Sequence, residues 1–337
     1  MIDPIALTRD LVKLETPTGA EGPAVDFLDG LLRKLGYQVT RQPVSPGRDN
    51  LYAYREPPEV VFSTHLDCVP PYLALSEDDT YLHGRGTCDA KGLAAAQLAA
   101  AEQLAARGER RIGLLFVVGE ENGSDGALAA EQLAPRGRFL INGEPTENRL
   151  TIGQKGTLKV VIESEGLAAH SGYPEEGRSA ILPLLETIER IRALPLATDP
   201  LLGPSTLNIG VLQGGVAPNV IPPSARAELL FRLVGPSTQI RRDVVACAVP
   251  GVTVTPTLEL PYFKNTEPPP AGWDTTVVAY ASDLPFYHNW GERYQLGPGT
   301  IRVAHTRNER IGKAELLRGV ELYTRLAGDL LARDTNR

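Results

Sequence analysis

The chain has 337 residues, 42% of them hydrophobic and 22% charged, a balance that excludes a disordered chain, a collagen-like repeat or a coiled coil and suits two folded domains. Its 34 basic and 41 acidic residues give a net charge of −7 without a clustered Lys/Arg run, so it offers no basic field to a nucleic-acid backbone. No stretch approaches the roughly 18 apolar residues of a membrane span, and the start MIDPIALTRDLVKLETPTG lacks an export signal's basic head and apolar core; a cytoplasmic protein with no nucleic-acid or membrane partner is expected.

Residues 4–14 read as a helix and 23–35 as a second, with Val25, Leu28, Leu31, Leu32 and Leu35 at helical spacing and Gly36 as the stop. Short β-rich pieces follow at 37–41, 51–55 and 59–63, then an Ala/Leu-rich helix at 92–106 and an apolar strand at 112–118. A short helix at 124–133 and a strand at 138–142 complete the alternation of a layered α/β domain, in which chemistry collects in loops at strand ends. From about residue 156 the rhythm changes: strand 157–163, helix 178–193, strands 206–212 and 225–234, helix 237–246 and strand 252–258 form a βαββαβ unit. After the proline-rich stretch 260–272, a helix at 273–281, short strands and a helix at 313–332 resume the first pattern. The expected architecture is α/β: a layered α/β/α catalytic domain over residues 1–154 and 262–337, with a ferredoxin-like α+β domain inserted at 155–261.

Cys68, Cys88 and Cys247 are odd in number and lack CxxC spacing, so reduced thiols packed in or near the cores are expected. Of five histidines, His65 (FSTHLDCVPP), His170 (AAHSGYPEEGRSA) and His305 (LGPGTIRVAHTRNE) fall in polar, glycine-containing loops. His65 and Asp67 follow an apolar strand two residues apart and share a face if the extended backbone continues; alone they read as a surface hydrogen-bonded pair. Asp89 in HGRGTCDAKG precedes a helix and alone reads as its N-cap, since neither phosphate-loop pattern is met. Glu120 and Glu121 end the buried run GLLFVV and Glu144 ends FLIN; singly, each reads as a solvated loop acid. His83 reads as a cap on a glycine turn, His288 as packing or a pocket wall, and Asp283 as a loop acceptor.

Taken together these residues gather where strands of an α/β sheet end, and that favours one site. Five carboxylates in one cleft, Asp67, Asp89, Glu120, Glu121 and Glu144, cannot all stay ionised unless cations intervene. Imidazole plus carboxylate without thiolate suits zinc, with cobalt or manganese as substitutes.

In this order the motifs resemble the M20 family of metallopeptidases and amidohydrolases over nearly the whole chain. The resemblance implies two zinc ions: His65 and Glu144 on one, Glu121 and His305 on the other, Asp89 bridging. It implies Glu120 as general base, passing the attacking water's proton to the leaving amine, and Asp67 as the group that fixes the His65 ring. The inserted domain would be a lid and homodimerisation domain whose His170 stabilises the oxyanion in the partner subunit. Asn219, Arg232 and the backbone at Gly299 would bind the substrate carboxylate; Leu230 stands where many relatives carry a polar residue. The leading expectation is hydrolysis of an N-acyl amino acid, of acetylornithine or acetyllysine deacetylase type. A di- or tripeptidase or carboxypeptidase acting on a short peptide is the alternative, and a catalytically silent metal-stabilised binding protein the rival from another class. A spare Glu120 beside Glu121 argues against the silent protein, and the lack of a GxSxG elbow argues against a serine hydrolase.

Overall fold

The structure, a computed structural model, describes residues 2–333. The chain divides into two compact units: one holds residues up to Ile152, Asn265–Thr276 and those from Ser282 onward, the other Gly153–Lys264 with Val277–Ala281. The divisions thus lie two or three residues from the expected ones, and the second unit also takes the short segment after Thr276.

The first unit is built on a mixed sheet. Val60–His65, Ile112–Val117 and Phe139–Gly143 are buried along their full length, as strands covered on both faces must be. They run parallel to one another and to Glu292–Leu296. Arg48–Tyr54 adds antiparallel beside Ile112–Val117, and Gln38–Ser45 forms the outer hairpin strand. Strand alternation sends Val60, Phe62, Leu114, Phe116 and Ile141 into a core shared with the helices Pro4–Val12, Gly22–Lys34, Lys91–Ala106 and Lys313–Ala332. Burying each large side chain there contributes roughly 1.5–3 kcal/mol. Val61, Leu115 and Leu140 are also buried but point the other way. On that face Trp290 packs edge-on against Tyr52 at 5.6 Å and against Tyr287 at 6.4 Å.

The helix Lys91–Ala106 is buried on nearly every side, and its alanines let neighbouring backbones approach. Ala90 stands at its N-cap position with no side-chain cap bond, so Asp89 is not the cap its position suggests. The segment expected as helix 273–281 is instead a strand, Thr275–Val278; the run Thr-Thr-Val-Val is β-branched throughout and loses too much rotamer freedom in a helix. The short helix covers only Asp125–Ala130. Among the described residues no helix is long and apolar enough to cross a membrane.

The second unit is a four-stranded antiparallel sheet in the order Thr206–Gly214, Ser224–Leu233, Gly156–Glu165, Val252–Leu260. With the helices Ile181–Arg192 and Thr238–Ala246 it makes the expected βαββαβ arrangement. Ala225, Ala227, Leu229, Phe231 and Leu233 face those helices, joined by Leu184, Ile188 and Val244. The alternate residues, Arg226, Glu228, Leu230 and Arg232, are half-buried on the other face.

Candidate metal centre

The parallel strands of the first unit deliver their last residues to one sheet edge. His65 closes its strand and is buried; its Nε2 lies 3.0 Å from Asp89 Oδ1, and its Nδ1 is 3.0 Å from the carbonyl oxygen of Asp67 and 3.3 Å from Asp67 Oδ1. Asp67 is itself held on several sides: Oδ2 accepts the Thr18 hydroxyl at 2.7 Å, and the backbone N–H groups of Glu120 and Glu121 donate to its two oxygens at 3.2 Å. One buried carboxylate therefore fixes both the His65 ring and the turn that carries the two glutamates. That turn, Glu120–Asn122, follows the strand Ile112–Val117 through Gly119, whose φ is 76°. Glycine is required there, because an added Cβ would meet Asp125 Oδ1 at 2.0 Å and Arg48 Nη2 at 2.4 Å.

Asp89 spans the two imidazoles with separate oxygens: Oδ1 meets His65, and Oδ2 lies 3.2 Å from His305 Nε2. His305 Nε2 is also 2.9 Å from Glu121 Oε1. His305 lies in a turn with a left-handed φ of 61°, not at a strand end, and its side chain is 48% exposed. Glu144 is buried directly after the strand Phe139–Gly143. Ligand atoms of His65, Asp89 and Glu121 all lie within 4.8 Å of one another.

Electrostatics describe a site built for cations. Burial and the charge of Glu144 push the Glu120 carboxyl well above the usual range. Glu144 is raised by burial, with Asp89, Asp283 and Glu121 adding to it against His65, and Glu121 is raised by burial and Asp89. Burial opposes charge on His65, but bonds to Asp67 and Asp89 outweigh it and hold the ring well above its ordinary value. Bonds to Asp89 and Glu121 lift His305 to about 10. Asp283 adds a sixth carboxyl to the five weighed from the sequence: it is buried, its Oδ1 has no hydrogen-bond partner among the described residues, and burial pushes it to about 7. Without cations such a cluster can only take up protons; two imidazoles plus carboxylates and no thiolate are a donor set that fits zinc or a similar divalent ion.

The thiols stay outside it. Cys68 and Cys88 are buried beside Asp89, Cys68 Sγ donating at 3.7 Å to the Asp89 carbonyl and Cys88 Sγ at 3.4 Å to that of Thr300. Burial pushes the Cys68 thiol up to about 12, as expected of an inert, space-filling group. His83 does not cap a turn: it ends the strand Tyr81–His83 and pairs with Asp78 at 3.0 Å. His288 is exposed rather than packed. Gly299 has both backbone groups engaged, donating to Glu315 Oε1 at 2.9 Å and accepting from Glu147 at 2.8 Å, so a substrate would compete with Glu315 for that N–H.

His170, Asn219 and Arg232 belong to the second unit. His170 and Asn219 are exposed, and their loops are tied together by a bridge between His170 and Val220 and by a 3.0 Å bond from Ser171 N–H to the Asn219 carbonyl. His170 Nδ1 accepts from Gly172 N–H at 3.1 Å, which leaves the proton of the neutral ring on Nε2. The Arg232 guanidinium donates to Thr157 Oγ1 at 2.7 Å and has no carboxylate partner among the described residues; burial lowers its pKa.

A carboxylate–imidazole cluster at the ends of parallel strands, beside a spare, partly buried glutamate, defines a metal-dependent hydrolase. The chain belongs to the M20 peptidases: the family model described as Peptidase family M20/M25/M40 matches residues 61–329. An M20 peptidase domain-containing protein of Schizosaccharomyces pombe is 38% identical over 96% of this chain and 83% of its own length. A protein of Neosartorya fischeri named probable carboxypeptidase is 36% identical over 98% of this chain and 87% of its own. A Staphylococcus aureus tripeptidase superposes with a TM-score of 0.79 at 23% identity, covering 98% of this chain and 100% of that one. An M20 family metallo-carboxypeptidase of Sulfolobus solfataricus gives 0.80 at 15% identity, covering 98% and 99%; at these identities the two share the fold.

Proposed function

We propose that this metallopeptidase is a two-zinc enzyme that cleaves short peptides next to a free terminal carboxylate. The observation that carries the reading is Arg232, a half-buried cation with no carboxylate partner among the described residues; a substrate carboxylate would supply the missing charge. An N-acyl amino acid would satisfy Arg232 equally well, so the choice between them rests on the relatives. Those of Neosartorya fischeri and Aspergillus fumigatus are named probable carboxypeptidases, and none cited above is a deacetylase. Peptide hydrolysis, second in the sequence reading, therefore takes first place, and the acetylornithine or acetyllysine type falls behind it.

In this reading His65 and Glu144 would hold one zinc and Glu121 and His305 the other, Asp89 being shared; cobalt or manganese would suit the same donors. The ions would polarise the scissile carbonyl and acidify the attacking water. Glu120, its proton affinity raised by burial, takes that water's proton and returns it to the departing amine. Asp67 keeps His65 Nδ1 engaged, which leaves Nε2, facing Asp89, as the atom that would meet an ion. Asn219 would join Arg232 on the carboxylate, and His170 Nε2–H would serve as an oxyanion donor in a partner subunit. A homodimer is supported by the unpartnered edge strand Thr206–Gly214, where Ile209 and Leu212 are exposed, and by exposed Leu182 and Leu185 on the helix Ile181–Arg192.

The test is a screen of zinc-, cobalt- and manganese-loaded protein on di- and tripeptides, their C-terminal amides, and N-acetylornithine, N-acetyllysine and N-succinyl-diaminopimelate. Free-carboxylate peptides should be cleaved and their amides spared. A kcat/KM for an acyl amino acid above that of every peptide would restore the deacylase reading.

A further inference from the structure

Asp89 must aim one oxygen at each imidazole, yet among the described residues its carboxylate receives no hydrogen bond besides those two. Its aim is therefore set by its backbone, and that backbone is gripped from one point. Glu309, 1% exposed, accepts at a single oxygen, Oε1, the N–H groups of Gly86 at 2.7 Å and of Cys88 and Asp89 at 3.3 Å each. Its other oxygen pairs with the buried Arg85, whose guanidinium also donates to the carbonyl oxygens of Pro71 at 3.3 Å and Thr306 at 3.4 Å. The Glu309 carbonyl in turn accepts from Gly84 N–H at 3.1 Å. Glu309 stands four residues after His305, in the strip of chain that leads to the strand Arg310–Gly312, paired with Tyr81–His83. One side chain thus locks the loop bearing the central carboxylate to the loop bearing the second histidine.

We propose that Glu309 is a positioning residue of the metal centre, its Oε1 cradle of three N–H groups setting the distance between Asp89 and His305 and hence the affinity for the second ion. This inference rests on the two-metal reading. A carboxylate is suited to the task because one oxygen can accept several convergent N–H bonds while the other takes the guanidinium.

Zinc titration of metal-free protein with a chelator competitor, alongside amide hydrogen exchange at residues 86, 88 and 89, tests it. Wild-type protein should bind two equivalents; failure to do so would sink the two-metal reading rather than this one. Glu309→Ala should weaken the second equivalent by about 10- to 100-fold, leave the first within a few-fold, and unprotect the three amides. The double variant Arg85→Met/Glu309→Gln keeps an acceptor oxygen for the N–H groups without the ion pair, and should bind the second zinc within about threefold of wild type whatever its melting temperature. A folded Glu309→Ala protein with wild-type affinity for both ions overturns the proposal. Should that variant fail to fold, a double variant that binds the second zinc as poorly as Arg85→Met/Glu309→Ala overturns it instead.

Discussion

The two units hold their candidate residues in opposite ways. In the first, Asp67 is bound by a hydroxyl and two backbone N–H groups, and Asp89, Glu121 and both imidazoles lock onto one another. In the second, His170 and Asn219 are exposed and Arg232 touches one threonine hydroxyl. Charge explains the difference. Buried acids stay ionised only where cations or bonds are fixed around them, whereas groups that meet a passing substrate must keep their polar atoms open to it. Substitutions in the first unit should therefore change what the centre is, and substitutions in the second should change what it meets.

The sharpest break between the two would come from Glu120. Glu120→Ala should retain two zinc ions by elemental analysis while kcat falls roughly 10²- to 10⁴-fold; undiminished hydrolysis would strip Glu120 of its role as base. His170→Ala should also keep both ions and lose roughly 10²- to 10³-fold, the worth of one oxyanion donor. The two inactive proteins can then be combined. A Glu120→Ala subunit paired with a His170→Ala subunit regains one fully furnished site if His170 acts across the dimer, and verified heterodimers without recovery would confine it to its own chain. Arg232→Ala should raise KM by roughly 10- to 100-fold with kcat little changed, as for a lost charge-assisted bond to a ground-state carboxylate. On a C-terminal amide substrate the same variant should behave like wild type.

How far the sequence could carry this comparison differs along the chain. Val60–His65 and Ile112–Val117 were legible because a strand buried on both faces is apolar throughout, and Ser224–Leu233 because its inward and outward residues alternate. His65, Asp89, Glu121 and Glu144 were legible because each lies within four residues of the end of a strand or helix with a clear apolar pattern. Thr275–Val278 was misread because the helix-favouring stretch around it masked four β-branched residues. Glu309 was passed over although it sits in the quoted motif AHTRNE: its partners at Gly86, Cys88 and Asp89 are more than 200 residues away in sequence, 223 in the case of Gly86. Asp283 read as a loop acceptor, since only the fold buries it among the other acids. Local pattern reports which residues end elements; long-range hydrogen bonds decide what those residues are held against.

The smallest expected effect concerns protons, and it discriminates between a preformed centre and one assembled by the ion. In ion-free protein, bonds to Asp89 and Glu121 hold His305 at about 10, above the unfolded value of about 6.5. Its contribution to stability is thus complete below pH about 6.5 and is lost as pH rises through about 10. An ion on Nε2 needs that nitrogen bare, so zinc and protons compete. Binding at neutral pH should release at least one proton, with His65, also raised by Asp67 and Asp89 against burial, and the raised carboxyls of Glu144 and Glu121 as further sources. Calorimetric titration in buffers of different ionisation enthalpy counts them, and His305→Asn should remove about one from the count. The apparent zinc affinity should climb by about tenfold per pH unit for each proton released. Zinc uptake without proton release would mean that His305 is already neutral in the ion-free protein, and the ion pairs that fix Asp89 and Glu121 would then be made by the metal, not for it.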